Sequence, residues 1–159
     1  MIREPAAAGT FYDSSKSSLL RGLEGCFLGE FGPGRLPAAS ESRVGNVVGL
    51  VCPHAGYVYS GGAAAFVYDA LANDGAPDIA VLLGPNHHGL GPAVAISSDS
   101  PWQTPLGAMQ VDAETANSIV QNSEFAQRSD LAHLREHSIE VQLPFLQYIG
   151  GDRIGIVPI

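Results

Sequence analysis

Apolar positions along this chain fall into short blocks separated by glycine- and proline-rich turns, and the spacing inside each block distinguishes strand from helix. Val47 to Val51, Ile79 to Leu83 and Ala93 to Ile96 are continuous apolar runs rich in β-branched residues, the pattern of buried strands. Arg153 to Ile159 reads as a further strand. Helical spacing recurs in four places. Leu19, Leu20, Leu23 and Phe27 share one face of a helix that starts at Ser14 or Ser15 and runs to about Leu28. Ala63, Phe66, Val67 and Ala70 do the same over Gly61 to about Leu71. Asp112 to Val120 is a third helix with Asp112 as its cap, and Ser138 to Ile149 a fourth, in which Pro144 kinks the helix or delays its regular part. Between these lie a loop over 29–45 broken by Gly32, Pro33, Gly34 and Pro37, and a loop at Trp102, Thr104 and Pro105 packed on the core. Phe11 and Tyr12 read as anchors that dock the amino-terminal segment.

Strands alternating with helices predict an α/β fold, a mixed and mostly parallel sheet with helices on both faces. A length of 159 residues suits a single domain, 1–159. The last strand has no turn, helix or polar tail after it. The expectation is therefore that this is the amino-terminal fragment of a longer domain, with the sheet incomplete at its carboxyl end and prone to self-association.

Charge narrows the functional classes. Eight basic residues against sixteen acidic ones give a net charge of −8. That argues against nucleic acid or an anionic membrane as partner, because phosphate binding needs clustered Lys and Arg. No apolar run has transmembrane length, and no apolar stretch of a secretory signal follows Met1-Ile2-Arg3-Glu4-Pro5. Two cysteines, Cys26 and Cys52, are too few for a disulfide framework. A cytoplasmic, reduced setting is expected.

The candidate chemistry lies in the histidines. His54 follows the 47–51 run in Cys52-Pro53-His54-Ala55-Gly56-Tyr57, and His87 and His88 follow the 79–83 run in Gly84-Pro85-Asn86-His87-His88-Gly89. Turns at the carboxyl ends of strands are where α/β proteins build sites, and imidazole is both a common metal ligand and an acid/base near neutrality. His54 reads as a ligand or acid/base, against a structural histidine bonded to backbone. Of the adjacent pair only one ring faces a given site, since neighbouring residues of an extended segment point apart. Gly84 and Gly89 permit close backbone approach, and Asn86 either orients a substrate or bonds the turn. In Glu136-His137-Ser138-Ile139-Glu140, Glu140 would orient the His137 ring. The alternative is a helix start with Ser138 as N-cap and Glu140 offsetting the helix end. His133 is assigned to the surface, and Cys52 either faces the site or is a buried strand cysteine. Ser60-Gly61-Gly62 has no following Lys and lacks the dinucleotide glycine pattern, which argues against nucleotide binding.

Five ordered blocks carry a more specific signal: Ala8-Gly9-Thr10-Phe11-Tyr12, PHAGYVYSG at 53–61, LGPNHH at 83–88, TPLG at 104–107 with Val111-Asp112 beyond it, and EHSIEVQLPFL at 136–146. Through them the chain resembles the Memo family, known in bacteria and archaea as AmmeMemoRadiSam system protein B. The resemblance implies an α/β fold similar to LigB-type class III extradiol dioxygenases, which hold non-haem iron with imidazoles and a carboxylate. It also implies that His54 and His87 match the presumed metal ligands. Family members continue beyond this length with a further His and, later, a Cys near the site, and nothing in these 159 residues matches those positions.

Two functional readings compete. In the first, the chain carries a site for a divalent transition metal (iron first, copper or zinc as alternatives) in a non-haem metal-dependent oxidoreductase or hydrolase acting on a small molecule. His54 and His87 are then ligands and His137 is the catalytic acid/base. Two ligands alone would hold a metal poorly, so occupancy in this chain is expected to be low or nil. In the second, a dioxygenase-like pocket without catalysis binds a peptide or metabolite. Tyr57, Tyr59, Asn86 and His88 are the substrate-binding residues of the first reading and the contacts of the second. A truncated product without independent function is the third possibility.

Overall fold

Helix α1, Lys16–Leu28, begins where its cap predicts, with Ser15 accepting from the Ser18 N–H at 3.3 Å, and buries Leu19, Leu23 and Phe27. These observations come from a computed structural model, which describes residues 2–38, 40 and 42–159. Helix α2 spans Tyr57–Asp74 and starts earlier than the apolar spacing predicts. Its buried face is also different. Gly61, Ala64, Ala65, Tyr68, Leu71 and Ala72 face inward, whereas Ala63, Phe66 and Ala70 are exposed. The reason is close packing against α1. A Cβ on Gly61 would stand 2.4 Å from Cys26 Sγ, so small residues define the contact face although they give almost no hydrophobic signal.

Strand β1, Ile79–Leu82, pairs in parallel with β6, Gly155–Pro158. Strand β2, Val94–Ile96, pairs in parallel with β5, Ala126–Arg128. The other edge of β6 is bridged to Val111, with the Ile156 N–H donating to Gln110 O at 2.9 Å and the Asp112 N–H to Ile156 O at 2.9 Å. Its end leads toward β2 through the Ser97 N–H to Pro158 O bond at 3.0 Å. The predicted loop at 102–105 is instead a hairpin. Strand β3, Trp102–Thr104, runs antiparallel to β4, Gly107–Met109, and Trp102 is fully buried. The Thr104 hydroxyl holds the turn by accepting from the Leu106 N–H. Two parallel pairs and one antiparallel pair, packed with helices, make the fold mixed α/β as the alternation implied.

Helix α3, Ala113–Gln121, is capped by Asp112, which accepts from the Thr115 N–H at 2.8 Å. The last helix has the delayed start that Pro144 predicts: a 3₁₀ turn at Glu140–Gln142 precedes α4, Leu143–Gly150, with the proline in the first helical turn. Phe145, Leu146 and Ile149 from α4 join Leu19, Leu23 and Phe27 from α1, Tyr68 from α2 and Ile156 from β6 in one core.

The segment 47–51 departs from its predicted strand. It is chain outside any strand, with Val48 and Val51 each 97% exposed. An apolar β-branched run states a preference, but a strand needs a ladder partner in register. At the entry to this run the Asp74 carboxylate takes the Asn46 and Val47 N–H groups at 2.9 and 3.2 Å. A groove of about 470 Å³ separates the run from β1. Among the described residues, no helix is long and apolar enough to cross a membrane.

Candidate metal centre

Three turns carry the site, and each is fixed by hydrogen bonds to chain remote in sequence. The Pro53–Gly56 turn is held from α4's approach by Gln142 Nε2, which donates to Pro53 O at 3.1 Å, and from the amino-terminal segment by the Tyr57 N–H, which donates to Phe11 O at 2.8 Å. The Gly84–Gly89 turn is held by Ser138 Oγ, which donates to Pro85 O at 3.0 Å. Gly84 is required there, since a Cβ would stand 2.5 Å from Ile139 Cγ1 and 2.6 Å from Ser138 Oγ. Ser138 therefore ties two turns together rather than capping a helix.

These bonds bring three imidazoles together. One nitrogen from each of His54, His87 and His137 lies within 4.8 Å of the others. Ring centroids are 5.2 Å apart for His54 and His87, 5.9 Å for His54 and His137, and 4.6 Å for His87 and His137, which stack at 17°. A metal bound by nitrogens at about 2.1 Å needs them about 3–4 Å apart, a little closer than the 4.8 Å bound. The His87 side chain is 41% exposed and that of His137 20%, which leaves the group open on one side. Phe11 covers the other side of His137, with ring centroids 4.2 Å apart. Burial holds the His137 ring below its ordinary range; the Glu136 carboxylate opposes that shift, and His87, His54 and His88 add to it.

The carboxylate behind the site is Glu136. Its Oε2 accepts the His87 backbone N–H at 2.7 Å, and its Oε1 accepts His87 Nδ1 at 2.9 Å, the His137 N–H at 2.8 Å and the Ser138 N–H at 2.9 Å. Burial alone would raise this carboxyl. The bonds from the His87 ring and from the Ser138, His87 and His137 amides outweigh it and bring the group down to about 2. Glu140, the residue that the spacing aimed at His137, faces elsewhere. It is fully buried and accepts from Arg3, from the Ala6 and Ala7 N–H groups at 2.8 Å each, and from the Tyr12 hydroxyl at 2.6 Å. The i to i+3 reading assumed a helix starting at His137; the helical turn starts at Glu140, which points the carboxylate to the amino-terminal segment instead. Glu136 itself left a signal in the sequence, a carboxylate directly beside a site histidine.

The other candidates are distributed differently. His133 is not on the surface: it is 4% exposed and donates from Nε2 to Ala95 O at 3.1 Å. The Tyr57 hydroxyl donates to Val141 O at 2.8 Å, and its ring packs on Phe145 and Tyr12, with burial raising the phenol well above its usual range. Tyr59 is exposed and, with Phe11, His54 and His137, lines an open pocket of about 560 Å³. Asn86 Nδ2 donates to Leu90 O at 2.7 Å, the turn-bonding alternative, and exposed His88 donates from Nε2 to Arg135 O at 3.1 Å. Cys52 is half-buried beside His54 on the groove, and burial pushes its thiol up to about 11, against a lowering bond from Tyr68.

Comparison with known proteins places the chain in a family. The sequence matches the Memo-like protein family over residues 3–159. A MEMO1 family protein of Ignicoccus hospitalis is 48% identical over 159 residues, all of this chain and 56% of that protein. One from Thermotoga neapolitana is 49% identical over 160 residues, all of this chain and 57% of the relative, and one from Methanobrevibacter smithii is 48% identical over 161 residues. The chain thus spans a little over half the length of these curated relatives. Matched along nearly all of its residues at this level of identity, the chain belongs to the Memo family.

Proposed function

We propose that this chain carries the histidine part of a divalent transition-metal centre, with His54, His87 and His137 as ligands, in a non-haem metal-dependent oxidoreductase acting on a small molecule. The observation that carries the reading is the convergence of three imidazole nitrogens within 4.8 Å, drawn from turns far apart in sequence. Neutral imidazoles suit iron, copper and zinc alike. His137 enters as a ligand rather than as the acid/base because one of its nitrogens is among the three that converge, and burial favours the neutral form a metal requires. When bound, such a metal supplies Lewis acidity and open positions for a substrate. The chain's own contribution is to position the imidazoles and to limit water: Phe11 shields one face, and the pocket beside Tyr59 leaves a small molecule access to the other. The oxidoreductase class rests on what the sequence resemblance implies, a fold similar to LigB-type dioxygenases.

Elemental analysis and calorimetric titration with zinc, copper and anaerobic ferrous iron test this. The expected result is one ion per chain, lost or strongly weakened in His54→Ala, His87→Ala and His137→Ala while far-ultraviolet circular dichroism is retained. Equal metal content in all three folded variants would discard the metal reading and favour a non-catalytic pocket for a metabolite or peptide.

A further inference from the structure

We propose that Glu136 is a positioning residue for this centre: its carboxylate holds the His87 ring in the tautomer with hydrogen on Nδ1, leaving Nε2 bare for a metal, and ties the His87 and His137 turns into one unit. The proposal rests on the metal reading for its purpose, but the grip on His87 stands on geometry alone.

A carboxylate can only accept, so the ring nitrogen 2.9 Å from Glu136 Oε1 must carry hydrogen. In neutral imidazole the other nitrogen is then an acceptor, the form a metal requires. The second contact, from the His87 backbone N–H to Oε2 at 2.7 Å, makes the grip two-pointed and holds the backbone of the turn as well as the ring. The same carboxylate accepts two amides from the turn bearing His137, so a single group spans residues 87 and 138.

Glu136 is itself immobilised. Its side chain is 5% exposed, its carbonyl accepts from Arg3 Nη2 at 2.7 Å, and its own N–H donates to His133 O at 3.3 Å. A turn cap alone would need the two amides of residues 137 and 138. It would not need the bidentate contact with a histidine 49 positions away in sequence. Carboxylates that orient ligating histidines raise ligand basicity and remove rotational freedom before the metal arrives, and losing one typically costs about 10–100-fold in metal affinity.

The experiment reads the tautomer directly in metal-free protein. Long-range proton–nitrogen spectra of ¹⁵N-histidine-labelled chain, with the His87 signals identified by their loss in His87→Ala, should show hydrogen on Nδ1. In Glu136→Gln the Nε2-protonated form should gain population, and zinc affinity should fall about 10–100-fold, with partial recovery in Glu136→Asp. Glu114→Gln, which removes an exposed carboxylate on α3, should leave the His87 tautomer unchanged. Hydrogen on Nε2 in the wild type overturns the proposal even if Glu136→Gln does not fold, and so does an unchanged tautomer in folded Glu136→Gln. A tautomer that follows Glu136 while zinc binding ignores His54→Ala, His87→Ala and His137→Ala keeps the grip and removes the metal reading.

Discussion

Arg3 and Glu140, 137 residues apart in sequence, form an ion pair whose side chains are 5% and 0% exposed. The pair is the hub of a clasp. Arg3 also donates to the His133 and Glu136 carbonyls, and Glu140 also accepts from the Ala6 and Ala7 amides and the Tyr12 hydroxyl. The amino-terminal segment is thereby fastened to the turn that supports the site, which in turn places Phe11 over His137.

Replacing one partner of such a pair leaves a buried charge uncompensated. Glu140→Ala is expected to cost about 3–5 kcal/mol of unfolding free energy, because Arg3 is then stranded among carbonyls. Urea unfolding followed by circular dichroism measures it. A loss below about 1 kcal/mol would mean that Arg3 finds water or another partner, and that the clasp is an exposed surface pair in energetic terms.

Gly84 sets how near the His87 turn lies to Ser138 and Ile139. In Gly84→Ala the added Cβ meets Ile139 Cγ1 and Ser138 Oγ at 2.5 and 2.6 Å, so those side chains or the turns that carry them must shift. Overpacking of this kind costs about 1–3 kcal/mol. Because the displaced turn carries a proposed ligand, zinc affinity of the folded fraction should drop as well. Loss of stability with unchanged affinity would show that the strain relaxes away from His87.

His133 makes stability sensitive to mild acid. Burial holds its ring below the ordinary value of 6.5, against a raising bond to Ala95 O and with the nearby Arg3 charge lowering it further. A folded value below the unfolded one means that the unfolded chain takes up the proton first. The contribution is therefore complete above pH 6.5 and is lost as pH falls from there through the folded value. The slope from one such group is at most about 1.4 kcal/mol per pH unit. His133→Gln keeps a donor for Ala95 O but does not titrate, so its stability should fall less steeply than the wild type's between pH 7 and 5 by roughly this slope or less. Parallel curves for the two proteins would exclude the mechanism.

Local chemistry was readable in this sequence, and partner-dependent structure was not. Ser15 and Asp112 announced their helices because a cap acts within one turn, and Pro144 announced a late start for the same reason. His54 and His87 were recognisable from glycine- and proline-bounded turns after apolar runs, and His137 from the charged and polar residues beside it where an apolar helical segment opens; all three converge. What failed depended on remote atoms. Whether 47–51 becomes a strand depends on a ladder partner, and the face that α2 buries depends on the Cys26 side chain of α1. Glu136 and Glu140 flank the same histidine with equal claims in one dimension. Only the position of the 3₁₀ turn and the presence of Arg3 decide that Glu136 serves the site and Glu140 the clasp.

The exposed run at 47–51 has a consequence in solution. Val48 and Val51 stand fully in water, and across the groove Ile79 and Val81 of β1 and Leu83 just after it are exposed. Contiguous apolar surface beyond a few hundred Å² promotes association of soluble chains, and an exposed strand edge adds unpaired backbone groups that a second chain can bond. The chain is therefore expected to self-associate through this face as its concentration rises, with sedimentation velocity as the measurement. Val48→Lys with Val51→Lys should shift the population toward monomer. Because neither side chain has lost contact with water, the double variant should change unfolding free energy by no more than about 0.5 kcal/mol per site. Association that persists unchanged in the double variant would place the contact elsewhere, and a large loss of stability would show that the run is buried after all, as its composition suggested.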